Sequence, residues 1–124
     1  MPADLEASVD GYVAAWNEPD PVVRMELLAA SVTDDFEFTG PTGTFRGRDA
    51  VEGLIVALRT RMAGATVARL GPVEGGTFRW AILTAAGTTL LEGVDEAEAA
   101  PDGRLSRISV AATMPSSPQT GPSA

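Results

Sequence analysis

The apolar residues of this chain recur at helical spacing through most of the first 62 positions and at strand spacing after residue 65. That division constrains the fold more than any other feature. Leu5, Val9, Tyr12, Val13 and Trp16 fall at offsets of 0, 4, 7, 8 and 11, one face of an α-helix. Pro19 ends that helix, because proline disfavours helical backbone in the residue before it. Asp20 then reads as an N-cap and Pro21 as the first residue of a second helix carrying Val23, Leu27 and Leu28. The two helices are expected to form a hairpin. A third helix is expected over 47–62, with Val51, Leu54, Ile55, Leu58 and Met62 on its apolar face. Asp49 in its first turn and Arg59 and Arg61 in its last suit the helix dipole.

Between the second and third helices, 31–39 reads as a strand in which Phe36 and Phe38 alternate with Glu37. A loop at 40–43 and a short extended piece at 44–46 follow. The remainder is β, with strands expected at 66–73, 77–85, 88–99 and 104–114. The turn signals Gly75-Gly76, Ala86-Gly87 and Pro101-Asp102-Gly103 separate them. The layout predicts a single α+β domain over 3–114, its helices covering one face of a curved sheet. The segment 115–124 holds three prolines and no large apolar residue, and is expected to be a disordered tail. The later strands carry apolar residues on both parities, among them Phe78, Trp80 and Ile82 but also Ala81 and Leu83. The face turned away from the helices is therefore expected to pair with a second copy as a homodimer.

The 124 residues contain no histidine and no cysteine. This excludes Ser-His-Asp and Cys-His catalysis, disulfides and zinc ribbons, and leaves carboxylates and one tyrosine to carry any chemistry. The acidic residues show no calcium-loop spacing, so no metal and no cofactor are expected. A net charge of −8 disfavours nucleic acid and anionic membrane as partners. No uninterrupted apolar run is long enough to span a membrane, and the acidic start lacks a signal-peptide pattern, so a cytoplasmic location is expected.

The run Tyr12-Val13-Ala14-Ala15-Trp16-Asn17 is followed by Asp20, Leu27-Leu28, Asp34-Asp35, Phe45-Arg46-Gly47 and Ala50. Later come Glu92-Gly93-Val94-Asp95 and Pro101-Asp102-Gly103-Arg104-Leu105. Together they resemble the nuclear transport factor 2-like superfamily, in its SnoaL-like polyketide cyclase and ketosteroid isomerase-like branch. The resemblance implies a cone: a curved mixed or antiparallel sheet wrapped around three N-terminal helices, with an apolar pocket at the wide end. It also implies a cofactor-independent isomerase, cyclase or lyase acting on a hydrophobic carbonyl compound, or a non-catalytic module that binds a hydrophobic small molecule.

Tyr12 and Asp95 match the tyrosine and the protonated acid of the oxyanion hole in ketosteroid isomerase, whose pKa tuning is a well-studied pattern. The position of that enzyme's base is Gly40 here. Two readings stand for each residue. The Tyr12 hydroxyl either meets a ligand oxygen or satisfies a backbone acceptor in the core. Strand alternation puts Leu91, Gly93 and Asp95 on one face, where Asp95 is either a pocket acid with a raised pKa or an edge carboxylate in solvent. Glu37, Asp34, Asp35 and Glu92 are poorly placed as replacement bases. Trp16, Phe36, Phe38, Leu58, Met62, Phe78 and Trp80 are expected to line the ligand pocket, with Gly93 making room beside Asp95.

Overall fold

The computed structural model describes residues 5–115. Two helices lead, α1 (Leu5–Asn17) and α2 (Pro21–Ser31), followed by the hairpin of β1 (Val32–Gly40) and β2 (Gly43–Arg46). Helix α3 (Arg48–Arg61) comes next, then β3 (Thr66–Glu74), β4 (Thr77–Leu83), β5 (Thr89–Ala99) and β6 (Leu105–Pro115). Asp20 caps α2 as its sequence foretells, its carboxylate accepting from the backbone N–H of Val22 at 2.8 Å and of Val23 at 3.4 Å. Pro115 is the last residue of β6 rather than the first of a tail. The remainder of the expected tail lies outside the described residues.

The six strands form one mixed sheet in the order β2-β1-β6-β5-β4-β3. The meander from β3 to β6 is antiparallel throughout, and β1 joins it by running parallel to β6. Periodicity fixes which face of a strand is apolar but not which neighbour it takes. The parallel β1–β6 pairing is such a long-range choice.

The helices pack on the inner face of the sheet. Val9, Tyr12 and Ala15 of α1, Leu28 of α2 and Val51 and Ile55 of α3 meet Phe36, Phe78, Ala97, Leu105 and Ile108 from the strands in one buried core. Each fully buried aliphatic or aromatic side chain contributes about 1.5–3 kcal/mol by leaving water. Polar contacts fix how the helices sit. Arg24, almost wholly buried on α2, donates to the carbonyls of Glu18 at 2.9 Å and Pro19 at 3.2 Å and pairs with Glu52 of α3 at 2.8 Å. This single guanidinium closes the α1–α2 turn and ties it to α3. At the C-terminal end of α1, the Asn17 side chain donates to the Val67 carbonyl at 2.8 Å and accepts from the Val67 N–H at 2.7 Å. It thereby satisfies edge strand β3 as another strand would. Arg69 of β3 reaches Asp10 at 2.7 Å and Glu6 at 2.8 Å on α1.

The outer face of the sheet is mixed. Glu37 pairs there with Arg46 and with Arg107, so it points away from the core as its alternation with Phe36 and Phe38 implies. Arg79 and Glu92 form a second pair at 3.5 Å. Registers Leu70↔Arg79, Ala81↔Glu92, Arg79↔Val94 and Glu92↔Met114 put Leu70, Ala81, Val94 and Met114 on that same face. Among the described residues, no helix is long and apolar enough to cross a membrane.

Candidate active site

The inner face of the sheet and the helices leave a recess of about 200 Å³. Its deep end is made by Tyr12 of α1 with Phe78 and Asp95, which sit opposite one another on β4 and β5. Its walls are Val13 and Trp16 from α1, Leu58 from α3, Phe38 from β1, Val67 from β3 and Trp80, Ile82 and Leu91 from β4 and β5. Half-buried Val110, opposite Asp95, and solvent-exposed Pro41 and Thr113 complete the lining, and the two exposed residues set the mouth at the β1–β2 turn and the C-terminal part of β6.

Thr113 and Val110 both reach this lining although strand alternation would send them to opposite faces. The register explains it. Val94 pairs with Ala112 and Asp95 with Val110, so one extra residue of β6 is inserted beside Asp95. Such a bulge shifts the parity of the strand beyond it and sharpens its bend. No sequence pattern signals this, and Thr113 is the polar lining residue that sequence reasoning missed.

Asp95 is only 5% exposed. That excludes the solvent-edge reading. Its Oδ1 accepts a 2.7 Å hydrogen bond from the indole Nε1 of Trp80, and no other hydrogen bond to it is made among the described residues. Burial pushes its pKa up to about 6, because a charged carboxylate is poorly solvated there, while the indole N–H opposes the shift by stabilising the anion. The group therefore changes charge close to neutral pH.

Tyr12 is 4% exposed, and its ring packs edge-on to Trp16 at 6.2 Å and tilted against Phe36 at 5.8 Å. Burial raises its pKa, the charge of Asp95 raises it further, and the Trp16 indole opposes both. The phenol stays protonated at any physiological pH and can only present O–H or its lone pairs. Among the described residues, its hydroxyl makes no hydrogen bond to a backbone acceptor.

Five of the expected lining residues, Trp16, Phe38, Leu58, Phe78 and Trp80, do line the recess. Three do not. Phe36 is fully buried behind Tyr12 as part of the core. Met62 is the C-cap of α3, past the helical face that reaches the recess. Gly93 does make room, but for the protein itself: a Cβ there would lie 2.1 Å from the Trp80 indole. Gly40 is similarly covered, its missing Cβ lying 2.9 Å from the ring of Phe38. The other carboxylates considered as bases stay outside the recess. Asp34 is exposed and paired with Arg48, Glu37 with two arginines, and Glu92 with Arg79. Among the described residues, no group of three or more acidic side chains is placed to hold a metal ion.

The family model of the SnoaL-like domain matches residues 9–114. The chain resembles a candidate isomerase of the SnoaL-like family from Agrobacterium tumefaciens strain C58 with a TM-score of 0.77 at 22% identity, over 84% of this chain and 92% of that one. It resembles a nuclear transport factor 2-like protein of unknown function from Exiguobacterium sp. 255-15 with a TM-score of 0.65 at 20% identity, over 89% and 98%. A candidate polyketide cyclase from Sinorhizobium meliloti follows the same fold with a TM-score of 0.58 at 18% identity, over 84% and 93%. Identities this low establish a shared fold and not a shared reaction. No functionally curated protein matches the chain.

Proposed function

We propose, from the premise that this chain belongs to the SnoaL-like domain family, that it binds an apolar carbonyl compound and moves a proton on it without a cofactor. The observation that carries this reading is the state of Asp95. It is buried at the deep end of an apolar recess, held by Trp80 at one oxygen only, with a pKa near 6. A general acid–base group works best when its pKa lies near the working pH. The ionised carboxylate removes a proton from the carbon beside the carbonyl, and the C–H electron pair moves toward oxygen. The Tyr12 hydroxyl donates to that oxygen as charge builds on it, in a site where water is scarce. Protonated Asp95 then returns the proton to another carbon of the conjugated system, so atoms and charge balance and the outcome is isomerisation. Cyclisation or dehydration uses the same enolate when the substrate carries a second carbonyl or a leaving hydroxyl.

One residue thus takes and returns the proton, which suits a chain with glycine at position 40. A second reading rests on that same glycine. With the Phe38 ring packed over Gly40 and no second acid in the recess among the described residues, the protein binds its ligand and does not turn it over. The infrared carbonyl stretch of bound 1-tetralone tests the shared premise. A shift to lower frequency, diminished in Tyr12→Phe, supports polarisation by the phenol. An unshifted band in the wild type refutes it.

The outer sheet face is proposed as the contact between two copies. Leu70, Val94 and Met114 supply its apolar part, and Arg79 and Glu92 give it both signs of charge. A two-fold axis lets each acid of one copy meet the base of the other.

A further inference from the structure

Two of the rings that wall the recess lie over glycines, and the backbone is not the reason. Gly43 and Gly47 bracket β2 with positive φ, whereas Gly40 and Gly93 have none. The β1–β2 hairpin therefore takes its left-handed residue from Gly43 and does not need glycine at 40. What positions 40 and 93 lack is room for a side chain. At 93 the occupant is the Trp80 indole; at 40 an added Cβ would lie 2.9 Å from Cε2 and 3.4 Å from Cζ of Phe38. Gly40 stands at the open end of the recess, next to Pro41 of the mouth.

Phe38 precedes Gly40 by two positions on β1 and shares its face of the sheet. Its half-buried ring leans over Gly40 on one side and packs tilted against Trp16 of α1, with ring centroids 6.4 Å apart, on the other. A side chain at 40 would take the space over which the ring leans. The ring must then move away from the mouth, toward Trp16 and into the recess. The atoms that give way are the far end of a phenylalanine, which turns about two single bonds, so the fold loses little. Alanine fits the backbone at 40 without strain and restricts the unfolded chain, which favours the folded one. One substitution thus leaves stability intact and takes space from a ligand.

We infer that position 40 is a specificity-determining position of the recess: with no side chain there, Gly40 gives the Phe38 ring a place beside the mouth, and a side chain would turn that ring inward and narrow the space open to an apolar ligand. This rests on the recess being the ligand site. It adds the residue that sets the free width at the open end, whatever the deep end does to the ligand.

Quenching of Trp16 and Trp80, both in the wall, follows the titration of the intact protein with 1-tetralone and with tetralin, the same rings without oxygen. Gly40→Ala should weaken both probes by about tenfold, as expected of side chains in direct contact, and Gly40→Val by more. The urea midpoint of Gly40→Ala should equal or exceed that of the wild type. Phe38→Leu lacks the ring atoms that meet position 40, and in that background Gly40→Ala should leave both affinities within about twofold. The indole N–H resonance of Trp16 reads the ring with no ligand present. It should shift in Gly40→Ala, because the ring current of Phe38 moves with the ring. Should circular dichroism show Phe38→Leu unfolded, this resonance and the comparison of affinity with stability decide. An equal loss of affinity in both backgrounds, or a Trp16 resonance that does not move, overturns the role of position 40. A fall in stability that accounts for the lost affinity overturns it as well. Failure of both probes to bind the wild type overturns instead the ligand-site reading on which the inference rests.

Discussion

Trp80 reaches across Gly93 and donates its indole N–H to Asp95 Oδ1 at 2.7 Å. The two residues are diagonal neighbours on adjacent antiparallel strands, since Trp80 pairs with Gly93 and Asp95 lies two positions further along β5. An indole is long enough to span that diagonal, but only if nothing rises from the residue beneath it. Glycine at 93 supplies the space, and in doing so lets the buried acid of the recess be held by one oxygen.

Replacing Gly93 with alanine puts a methyl group 2.1 Å from the indole, closer than any real contact, so the ring must move. The hydrogen bond to Asp95 is then lost and the opposition to burial goes with it. The Asp95 pKa is expected to rise above its wild-type value of about 6, and stability to fall by about 1–3 kcal/mol from overpacking. Carboxyl-carbon NMR of Asp95 across pH, together with urea unfolding, checks both. An unchanged pKa would show that the indole bond does not tune the acid.

Asp95 should also be a liability to the fold. Its pKa is raised from 3.8 to about 6 on folding, so between those values the folded state holds the extra proton. Stability contributed by this group therefore falls as pH rises from about 4 to about 6 and is level above that. The full shift corresponds to about 3 kcal/mol. Asp95→Asn removes the ionisation and keeps an acceptor for Trp80. The variant should be more stable than wild type by up to about 3 kcal/mol at pH 7.5, with the difference shrinking toward zero at pH 4. Urea unfolding at the two pH values decides; a gap that does not change with pH contradicts the burial of the charge.

Arg24 should matter to stability and not to chemistry. Its guanidinium satisfies two carbonyls of the α1–α2 turn and pairs with Glu52, and it does not line the recess. Arg24→Ala is expected to destabilise the protein by about 2–4 kcal/mol, because carbonyls and a carboxylate lose their partner together. Tetralone affinity at 15 °C should stay within about twofold for the fraction that is folded. A large loss of affinity with little loss of stability would reverse this assignment.

The proposed pairing of sheet faces carries its own salt dependence. Two copies of net charge −8 repel, and added salt screens that repulsion while leaving apolar burial intact. Sedimentation should therefore show a dimer that strengthens between 20 and 300 mM NaCl, and Val94→Glu should dissociate it. A monomer at all salt concentrations contradicts the pairing.

Much of this architecture can be read from the chain, for definite reasons. The apolar face of α1 is periodic enough to place Tyr12 inside, and alternation along β5 puts Leu91, Gly93 and Asp95 together on the inner face. Asp20 and Pro21 mark a helix start by local chemistry alone. What escapes the sequence depends on neighbours distant along the chain. The parallel pairing of β1 with β6, the bulge opposite Asp95 and the entry of Thr113 into the lining are choices of register. Phe36 and Phe38 have the same parity, yet one is core and the other wall, because only Phe36 lies behind Tyr12. Gly93 can be read as room for something; that the occupant is Trp80 follows only from the β4–β5 register.

Asp95 is proposed to remove a proton from the carbon beside a bound carbonyl. Exchange of the α-protons of 1-tetralone in D2O, followed by NMR with and without protein, measures that step without knowledge of the natural substrate. Acceleration by at least about a hundredfold over buffer is expected of such a positioned general base. The rate should rise with pH through about 6 as Asp95 ionises and vanish in Asp95→Asn. Tetralone that binds in the recess yet exchanges no faster than in buffer would contradict it, and would leave a protein that holds its ligand without changing it.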